Sequence, residues 1–225
     1  MAGRPRIRTA TRPGGNVEEQ ILDAAAGLFS AQGYAGTTTR AIAEAAGLRQ
    51  PSLYYYFASK EELFARLVGF LWRPALAYGM RLTEAEAPPD ARMYALVSYD
   101  VEVLRALPWR IGTLYYAPEL RAPEFAAVAA ERRRLHDLYR AVTREGAEAG
   151  RFQIDDPRFT SDLLFGLTEG IVNMTGDVTE RTPVQWGVDV ADHAMRLLAA
   201  TDPAAAGAAG LALRARIPGD YRSSR

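Results

Sequence analysis

The stretch from Thr37 to Leu63 limits the possible folds most, because it contains two short helical patterns separated by a glycine. In the first pattern Ile42, Ala43 and Ala46 fall on one side of a helix. Gly47 is expected to end this helix, since glycine readily adopts the left-handed backbone conformation found at helix ends. Two short helices joined by a glycine turn form the outline of a helix-turn-helix.

The second pattern begins near Gln50 and places Leu53 and Phe57 four residues apart on its inner side. Pro51 lies near the start, where the missing amide hydrogen of a proline has no cost. The outward side carries groups that bind phosphates or base edges, namely Gln50, Ser52, Tyr54, Tyr55 and Tyr56. We therefore predict that this face binds DNA.

Further positions extend the pattern on both sides of the glycine turn, over about residues 17 to 65. They are Gly33-Tyr34, Thr37-Thr38, the run from Ile42 to Gly47, Leu53-Tyr54, Phe57 and the run from Ser59 to Leu63. In order and spacing they resemble the DNA-binding domain of the TetR (tetracycline-repressor-like) family. The resemblance implies a dimeric, all-helical transcriptional regulator, usually a repressor that a small-molecule effector releases from double-stranded operator DNA.

The residue types on the two short helices, placed by this resemblance, indicate how bases are read. Arg40 can donate two hydrogen bonds to a guanine edge, and Gln50 suits adenine in the same way. Pro51 and Ser52 can contact a thymine methyl group or a base edge. Arg49 stands where the family often has a serine-like capping residue. We expect the second helix to be capped by another group, and Arg49 to contact a phosphate.

Other residues on these helices are expected to hold the DNA backbone and set the register without reading sequence. Lys60 is the single lysine of the chain, and its alternative role is that of an ordinary surface charge. Tyr55 suits packing over the first helix as well as contact with DNA. The predicted phosphate contacts are Thr39, Tyr54, Tyr56 and Lys60.

Charge and composition narrow the function classes. The chain has no net charge, but residues 1–60 carry seven basic and four acidic side chains, which suits a protein with one end against phosphates. The absence of cysteine excludes disulfides and thiolate zinc sites, and two histidines alone do not make a metal site. No apolar run approaches the length of a membrane span, and the basic N-terminus lacks the apolar region of a secretory signal. We expect a cytoplasmic protein without metal or cofactor.

The periodicity predicts an all-α chain with four parts. These are a flexible basic arm at residues 1–16, a helix-turn-helix domain at 17–60, a larger helical domain at 61–200, and a flexible tail at 201–225. The resemblance assigns ligand binding and dimerisation to the domain at 61–200. One helix is expected from Ser59 to about Glu84, with a bend at Pro74. This helix would connect the DNA-binding domain to the rest of the chain.

Aromatic residues are frequent in the third part. Such residues at helical spacing are usually core, but tyrosine hydroxyls need partners, and a cavity lined by aromatic rings with polar tips is a common small-molecule site. The resemblance also implies a ligand pocket in this region. His136 is a candidate polar anchor, although it could equally be exposed or satisfied within the protein. The predicted lining residues are Trp72, Tyr94, Tyr99, Trp109, Tyr115, Tyr116, His136, Tyr139 and Phe165.

The two helical patterns after about residue 158 carry a broad apolar stripe. Gly166 and Gly170 lie four residues apart, so their missing side chains would let another helix approach closely. The stripe could be buried within one chain, but the resemblance implies a four-helix dimer interface here. The predicted dimerisation residues are Leu163, Leu167, Gly170, Ile171, Met174, Val190, Ala194 and Leu197.

Two other function classes remain open from the sequence. A helical enzyme is disfavoured, because no nucleophile-elbow spacing is present and two histidines leave few catalytic bases. A DNA-binding protein without an effector, acting as a constitutive repressor, is the stronger alternative. A cavity in the third part, or stabilisation by small apolar compounds, would separate this alternative from a ligand-responsive regulator.

Overall fold

The structure, a computed structural model, describes residues 16–107, 111–174 and 181–220. These residues form ten α-helices and no β-strand, which confirms the predicted all-α fold. None of the helices in these ranges is long and apolar enough to cross a membrane. The helices are α1 Val17–Gly36, α2 Thr39–Ala45, α3 Gln50–Tyr56, α4 Lys60–Gly69, α5 Arg73–Thr83, α6 Pro89–Ala106, α7 Ala126–Glu148, α8 Pro157–Gly170, α9 Pro183–Leu197 and α10 Pro203–Arg216. Short 3-10 helices occupy Gly112–Tyr116, Pro118–Arg121, Pro123–Phe125 and Ile171–Asn173.

The chain forms two compact units, and their boundary differs from the prediction. The first unit, called the DNA-binding unit below after the function predicted from the sequence, comprises α1 to α4 and also the segment Gly112–Phe125. The second unit, called the body, comprises α5 to α10. The sequence analysis assigned α4 and Gly112–Phe125 to the third part of the chain. The predicted arm at residues 1–16 lies, except for Asn16, outside the described residues.

The local sequence explains the start and end of α2. The Thr38 hydroxyl accepts a hydrogen bond from the Ala41 amide at 3.1 Å and thereby caps the helix, as predicted. Gly47 follows the helix with a φ of 72°, the left-handed region in which glycine is favoured. Ile42 and Ala43 are buried and pack α2 against its neighbours. The helix-turn-helix outline is therefore confirmed.

The single helix predicted from Ser59 to Glu84 is wrong, because the structure has two helices, α4 and α5. Pro74 lies in the first turn of α5 rather than at a bend. A proline has no amide hydrogen to donate to the carbonyl four residues earlier, and its ring clashes with that carbonyl. The chain therefore leaves the helix after Gly69 and begins a new one at Arg73.

Helix α6 is the centre of the body, and α5, α9 and α10 pack against it. Thirteen of its residues are buried, so it is surrounded on nearly all sides. At the crossing with α9, a Cβ atom built on Gly187 would lie 2.2 Å from the Ser98 carbonyl oxygen. Glycine at this position is what allows the two helices to approach so closely.

The expectation of a flexible tail after residue 200 is wrong for residues 203–216, which form α10. Its alanine and glycine content favoured disorder in the sequence, but the small residues serve a close helix contact. A Cβ atom on Gly210 would lie 2.7 Å from the Tyr94 ring. The Asp202 side chain caps the helix, and Arg214 donates to Glu102 of α6.

Candidate DNA-binding face and effector region

Helix α3 presents two contrasting sides. Leu53, and Phe57 just after the end of the helix, are buried. Tyr55 is 85% exposed, and the tyrosines on either side of it are also exposed. Large aromatic side chains at the surface of a short helix indicate a binding surface rather than a core. We call the outward set the reading face; it consists of Arg40 of α2 and Gln50, Pro51, Ser52, Tyr54, Tyr55 and Tyr56 of α3.

Hydrogen bonds connect the two helices at the reading face. The Gln50 Nε2 group donates to Thr39 Oγ1 at 3.0 Å. The same Thr39 oxygen lies 3.1 Å from the Tyr54 hydroxyl. The start of α2 is thus tied to both turns of α3, and Thr39, predicted as a phosphate contact, is engaged within the protein.

Arg40 is held by its own helix. Its Nε donates to Glu44 Oε1 at 3.0 Å, and the two side chains are 78% and 66% exposed. An exposed ion pair of this kind contributes little to stability, because water competes for both charges. The Arg40 guanidinium is therefore available to exchange Glu44 for an acceptor on DNA.

Arg49 precedes α3 and gives it no side-chain cap, in line with the expectation that another group must serve the helix start. Pro51 removes one of the amide hydrogens that would need a partner there. A shallow notch of about 350 Å³ lies beside this point and brings Arg49 next to the predicted base-reading residues. The notch is lined by Arg40, Ala43, Glu44, Leu48, Arg49 and Gln50.

Lys60 has a structural role that the sequence did not reveal. Its Nζ donates to the main-chain carbonyls of Tyr34 and Thr37, both at 3.0 Å, and lies 4.0 Å from the centre of the Tyr34 ring. These contacts hold the turn between α1 and α2 against the start of α4. An ammonium group has three donors, so one N–H remains for a phosphate.

Tyr34 joins the same region to an aromatic cluster in the DNA-binding unit. Its hydroxyl donates to Glu61 at 2.6 Å, and its ring lies 4.9 Å from Phe64 and 5.5 Å from Phe125. Burial and the Glu61 carboxylate raise the pKa of Tyr34, while the hydrogen bond from Tyr34 lowers the pKa of Glu61. The tyrosine therefore stays neutral and the glutamate charged.

The predicted effector residues separate into two groups in the structure. Tyr115 and Tyr116 belong to the DNA-binding unit, and Tyr116 is 57% exposed. Trp109 lies outside the described residues. The remaining aromatic residues are buried in the body, and they are Trp72, Tyr94, Tyr99, Tyr139 and Phe165.

Two tyrosine hydroxyls of the body find partners in the protein itself. Tyr94 donates to Asp192 at 2.9 Å, and Tyr139 donates to Asp100 at 2.8 Å. The Tyr99 ring packs against that of Tyr78, with 4.3 Å between the ring centres. The sequence argument for a polar cavity relied on tyrosines in need of partners, and for Tyr94 and Tyr139 these carboxylates supply them.

Asp100 is a buried carboxyl, only 2% exposed. Burial raises its pKa to about 7; the hydrogen bond from Tyr139 opposes this shift and nearby Glu169 adds to it. Glu169 is itself buried and accepts two hydrogen bonds from Arg132, at 2.7 and 2.6 Å. Helices α6, α7 and α8 therefore enclose two carboxyl groups that differ in their partners.

His136 lies beside two other predicted effector residues. Its ring stacks on Phe165 with 4.3 Å between the centres and 7° between the planes, and Phe165 lies 5.2 Å from the Tyr139 ring. His136 Nε2 is 2.9 Å from an Asp162 oxygen. Burial and the positive charge of Arg140 nevertheless lower the pKa of His136. The imidazole is therefore biased towards its neutral form.

The predicted dimerisation residues lie on α8, on and just after the 3-10 helix Ile171–Asn173, and on α9. Leu163, Leu167 and Met174 are exposed, whereas Ile171 and Ala194 are buried within the chain, and Gly170, Val190 and Leu197 are half-buried. Cβ atoms on Gly166 and Gly170 would meet nothing within 4 Å, so this side of α8 is open. A mainly apolar groove of about 510 Å³ lies between α8 and α9. It is lined by Leu164, Leu167, Ile171, Met174, Arg181, Trp186, Asp189, Val190, His193 and Ala194.

Family models match both the helix-turn-helix region and the helical region that follows it. Residues 21–67 match the family of bacterial regulatory proteins, tetR family, and residues 86–173 match the tetracyclin repressor-like C-terminal domain. The HTH-type transcriptional repressor KstR2 of Mycobacterium tuberculosis is 30% identical over 152 residues, which are 65% of this chain and 72% of that protein. The chain belongs to the TetR family.

Two solved structures share the fold. The crystal structure of Mycobacterium smegmatis AmtR has a TM-score of 0.77 and 34% identity, and the alignment covers 96% of this chain and all of that one. The structure of AibR in complex with isovaleryl coenzyme A and operator DNA has a TM-score of 0.62 and 19% identity, covering 82% and 100% of the two chains. Membership of the TetR family makes this protein a transcriptional regulator, and its named relatives are regulators rather than enzymes.

Some residues of this TetR-family protein could not be found from the sequence. Asp100, Asp192 and Glu169 are distant in sequence from the side chains they bind, and no local pattern pairs them. The contact between Thr39 and Gln50 likewise depends on how α2 and α3 cross. An acidic residue between apolar neighbours in a helix, such as Asp100 next to Val101 in α6, is the one available signal, because a buried carboxyl needs a partner.

Proposed function

We propose that the chain is a dimeric repressor that binds a twofold-symmetric DNA operator through the reading face and loses DNA affinity when a small molecule binds to its body. The observation that carries the proposal is the exposed polar and aromatic face of α3, backed by the buried Leu53. Such a helix can enter the major groove and contact base edges. The proposed place of action is the cytoplasm, where the DNA of a bacterium lies.

The open side of α8 supports the dimer. A seven-residue reading helix touches few base pairs, and proteins of this kind gain specificity by binding two half-sites about one helical turn, or a multiple, apart. Exposed Leu163 and Leu167, together with open Gly166 and Gly170, offer an apolar surface on which a second helix can pack closely. A twofold arrangement of this surface gives a four-helix contact between α8 and α9 of two copies.

The proposed effector is a small apolar or aromatic molecule bound among the aromatic residues of the body. Phe165, Tyr139 and His136 lie together there and offer ring surfaces with a polar edge. The AibR structure shows a protein of this fold with isovaleryl coenzyme A and operator DNA, which is consistent with an effector site in the present protein. Ligand binding and DNA binding would then oppose each other through linkage.

A regulator without an effector is the second candidate, and one observation favours it. Asp192 and Asp100 already satisfy the hydroxyls of Tyr94 and Tyr139, so these two tyrosines need no ligand as a partner. The two candidates share the DNA-binding face and differ in one measurable property. Only the first predicts that a small molecule changes the affinity for DNA.

The experiment begins with selection of bound duplexes from a random library by the purified full chain. We expect an enriched sequence with twofold symmetry, and a solution mass of two chains. Gly170→Arg places a charged side chain on the open side of α8 and should produce monomers that bind the full site less tightly. The proposal fails if parent and variant are both monomers that bind a full palindrome equally well.

Small apolar and aromatic compounds are then tested for release of the selected duplex. If none releases it, the second candidate, a regulator without an effector, is favoured.

A further inference from the structure

The Thr39 hydroxyl joins the two helices of the reading face at its centre. Its oxygen accepts a hydrogen bond from Gln50 Nε2 at 3.0 Å and lies 3.1 Å from the Tyr54 hydroxyl. Thr39 is the first residue of α2, while Gln50 and Tyr54 lie one turn apart on α3. A hydroxyl has one proton and two lone pairs, so the Thr39 oxygen can serve both partners at once.

This contact decides which groups of Gln50 remain for DNA. A primary amide has two N–H donors and one carbonyl acceptor, and Thr39 takes one of the donors. The remaining N–H and the carbonyl are the pair that adenine needs, since its N7 accepts and its N6 amino group donates in the major groove. The amide of a glutamine otherwise rotates through a broad, roughly twofold torsion and can present the two groups in the opposite order.

Fixing the amide before binding also affects affinity. A long polar side chain loses rotamer freedom when it is ordered at an interface, and that loss reduces the binding free energy. Because Thr39 and Gln50 are already in contact in the free protein, part of this loss has occurred before DNA arrives. A mobile Gln50 would bind more weakly and discriminate less.

We propose that Thr39 is a positioning residue for base recognition, which holds the Gln50 amide in the orientation that selects adenine. This role replaces the phosphate contact expected from the sequence. The inference rests on the proposed function, because it requires that the reading face binds specific DNA. The two roles make different predictions, since a phosphate contact supports every sequence equally, whereas a positioning residue affects one base pair in each half-site.

The test measures base preference at every position of the duplex selected by the wild-type full chain, by competition with single-base variants. The proteins compared are wild type, Gln50→Ala, Thr39→Val, Thr39→Ser and Thr83→Val. Valine has nearly the shape of threonine but lacks the hydroxyl, whereas serine keeps it. Thr83→Val is the matched control, because it makes the same change at an exposed threonine of α5, outside the reading face. Thr38, not Thr39, caps α2, so these variants leave the cap in place. If Thr39→Val does not fold, Thr39→Ala is the second variant without the hydroxyl, because alanine favours the helix.

We expect Thr39→Val to reduce the preference for adenine at least about fivefold at the position that Gln50→Ala also affects. Thr39→Ser should stay within about twofold of wild type, because the hydroxyl is retained. In a Gln50→Ala background, Thr39→Val should cause no further loss at that position, since the two residues act as one unit. Thr83→Val should leave this position unchanged.

Uniform weakening on all duplexes, with an unchanged preference profile, would overturn the inference and return Thr39 to a phosphate contact. A changed preference at a position that Gln50→Ala does not affect would also overturn it. Failure of the proposed function looks different, because the wild-type chain would then enrich no sequence from the library. That result would remove both the function and the inference, whereas the first two leave specific DNA binding intact.

Discussion

The reading face of the DNA-binding unit and the core of the body place their polar contacts in different surroundings. In the DNA-binding unit, the hydrogen bond between Gln50 and Thr39 and the ion pair between Arg40 and Glu44 lie at the surface or only partly buried. In the body, Asp100 is buried and bonded to Tyr139. The first set is accessible to a partner molecule, and the second set is enclosed.

This difference separates binding from stability. Surface hydrogen bonds and ion pairs compete with water, so they can be exchanged for groups on DNA at small cost. Buried polar groups lose water on folding, and each becomes costly when its partner is removed. Substitutions on the reading face should therefore change DNA affinity with little effect on unfolding. Substitutions of buried polar groups should change the free energy of unfolding. They should change the measured DNA affinity only by changing the fraction of folded protein.

The largest expected effect on stability is that of Arg132→Met. This change leaves the buried Glu169 carboxylate without the two hydrogen bonds that Arg132 donates. Breaking a buried pair by removing one partner costs about 3 kcal/mol of the free energy of unfolding. Urea unfolding of the purified variants measures this loss.

Arg133→Met is the matched control, because Arg133 is the next residue and is exposed. Its unfolding free energy should stay within about 0.5 kcal/mol of wild type. Adding Glu169→Gln to Arg132→Met should recover part of the loss, since a neutral amide is less costly to bury than a charge. Equal effects of the two arginine changes would mean that the buried pair does not behave as described.

The next effect is a pH dependence that originates at Asp100. Its pKa is about 7 in the folded chain against an ordinary value of 3.8, so between these values the folded state holds a proton that the unfolded state has released. The unfolding free energy should therefore fall as the pH rises from about 4 to about 7, by up to about 1 kcal/mol per pH unit from this group. Urea unfolding across this pH range measures the slope.

Asp100→Asn isolates this contribution from that of other carboxyl groups. The asparagine cannot titrate, yet its carbonyl can still accept the hydrogen bond from Tyr139. The variant should therefore gain stability relative to wild type as the pH rises. Parallel pH profiles for the two proteins would contradict the raised pKa of Asp100.

The smallest effect concerns Lys60, which combines a stabilising contact within the protein with a predicted contact to DNA. Lys60→Ala removes the donors to the Tyr34 and Thr37 carbonyls and should cost about 1 kcal/mol of unfolding free energy. It should also weaken binding to all DNA sequences alike and flatten the salt dependence, if the remaining N–H contacts a phosphate. Lys60→Arg keeps the charge and should restore the salt dependence. An unchanged unfolding free energy would limit Lys60 to the DNA contact.

The sequence predicted the fold well where local rules decide it. The spacing of Ile42 and Ala43, the cap at Thr38 and the turn at Gly47 are local features, and all three appear in the structure as expected. The errors lie where tertiary packing overrides composition. The alanine- and glycine-rich segment at Pro203–Arg216 looks disordered in isolation, but its small residues fit against Tyr94.

The candidate site was predictable in part for a similar reason. Periodicity places the residues of α3 on an outer or an inner side, so the reading face can be derived from the sequence. Contacts between helices cannot, because they depend on crossing geometry. The bond between Thr39 and Gln50 and that between Tyr139 and Asp100 join residues 11 and 39 positions apart, and neither has a local signature.

We propose above all that the reading face recognises particular base pairs. The most direct measurement is the ratio of affinities for the selected duplex and a scrambled duplex at one salt concentration, for wild type, Arg40→Ala and Gln50→Ala. We expect a wild-type ratio of about 10³ or more. Each variant should reduce the difference in binding free energy between the two duplexes by roughly 1–3 kcal/mol. Binding to the scrambled duplex and the unfolding free energy should stay nearly unchanged. An equal loss of affinity for both duplexes, or a wild-type ratio near one, would rule out base recognition by the reading face.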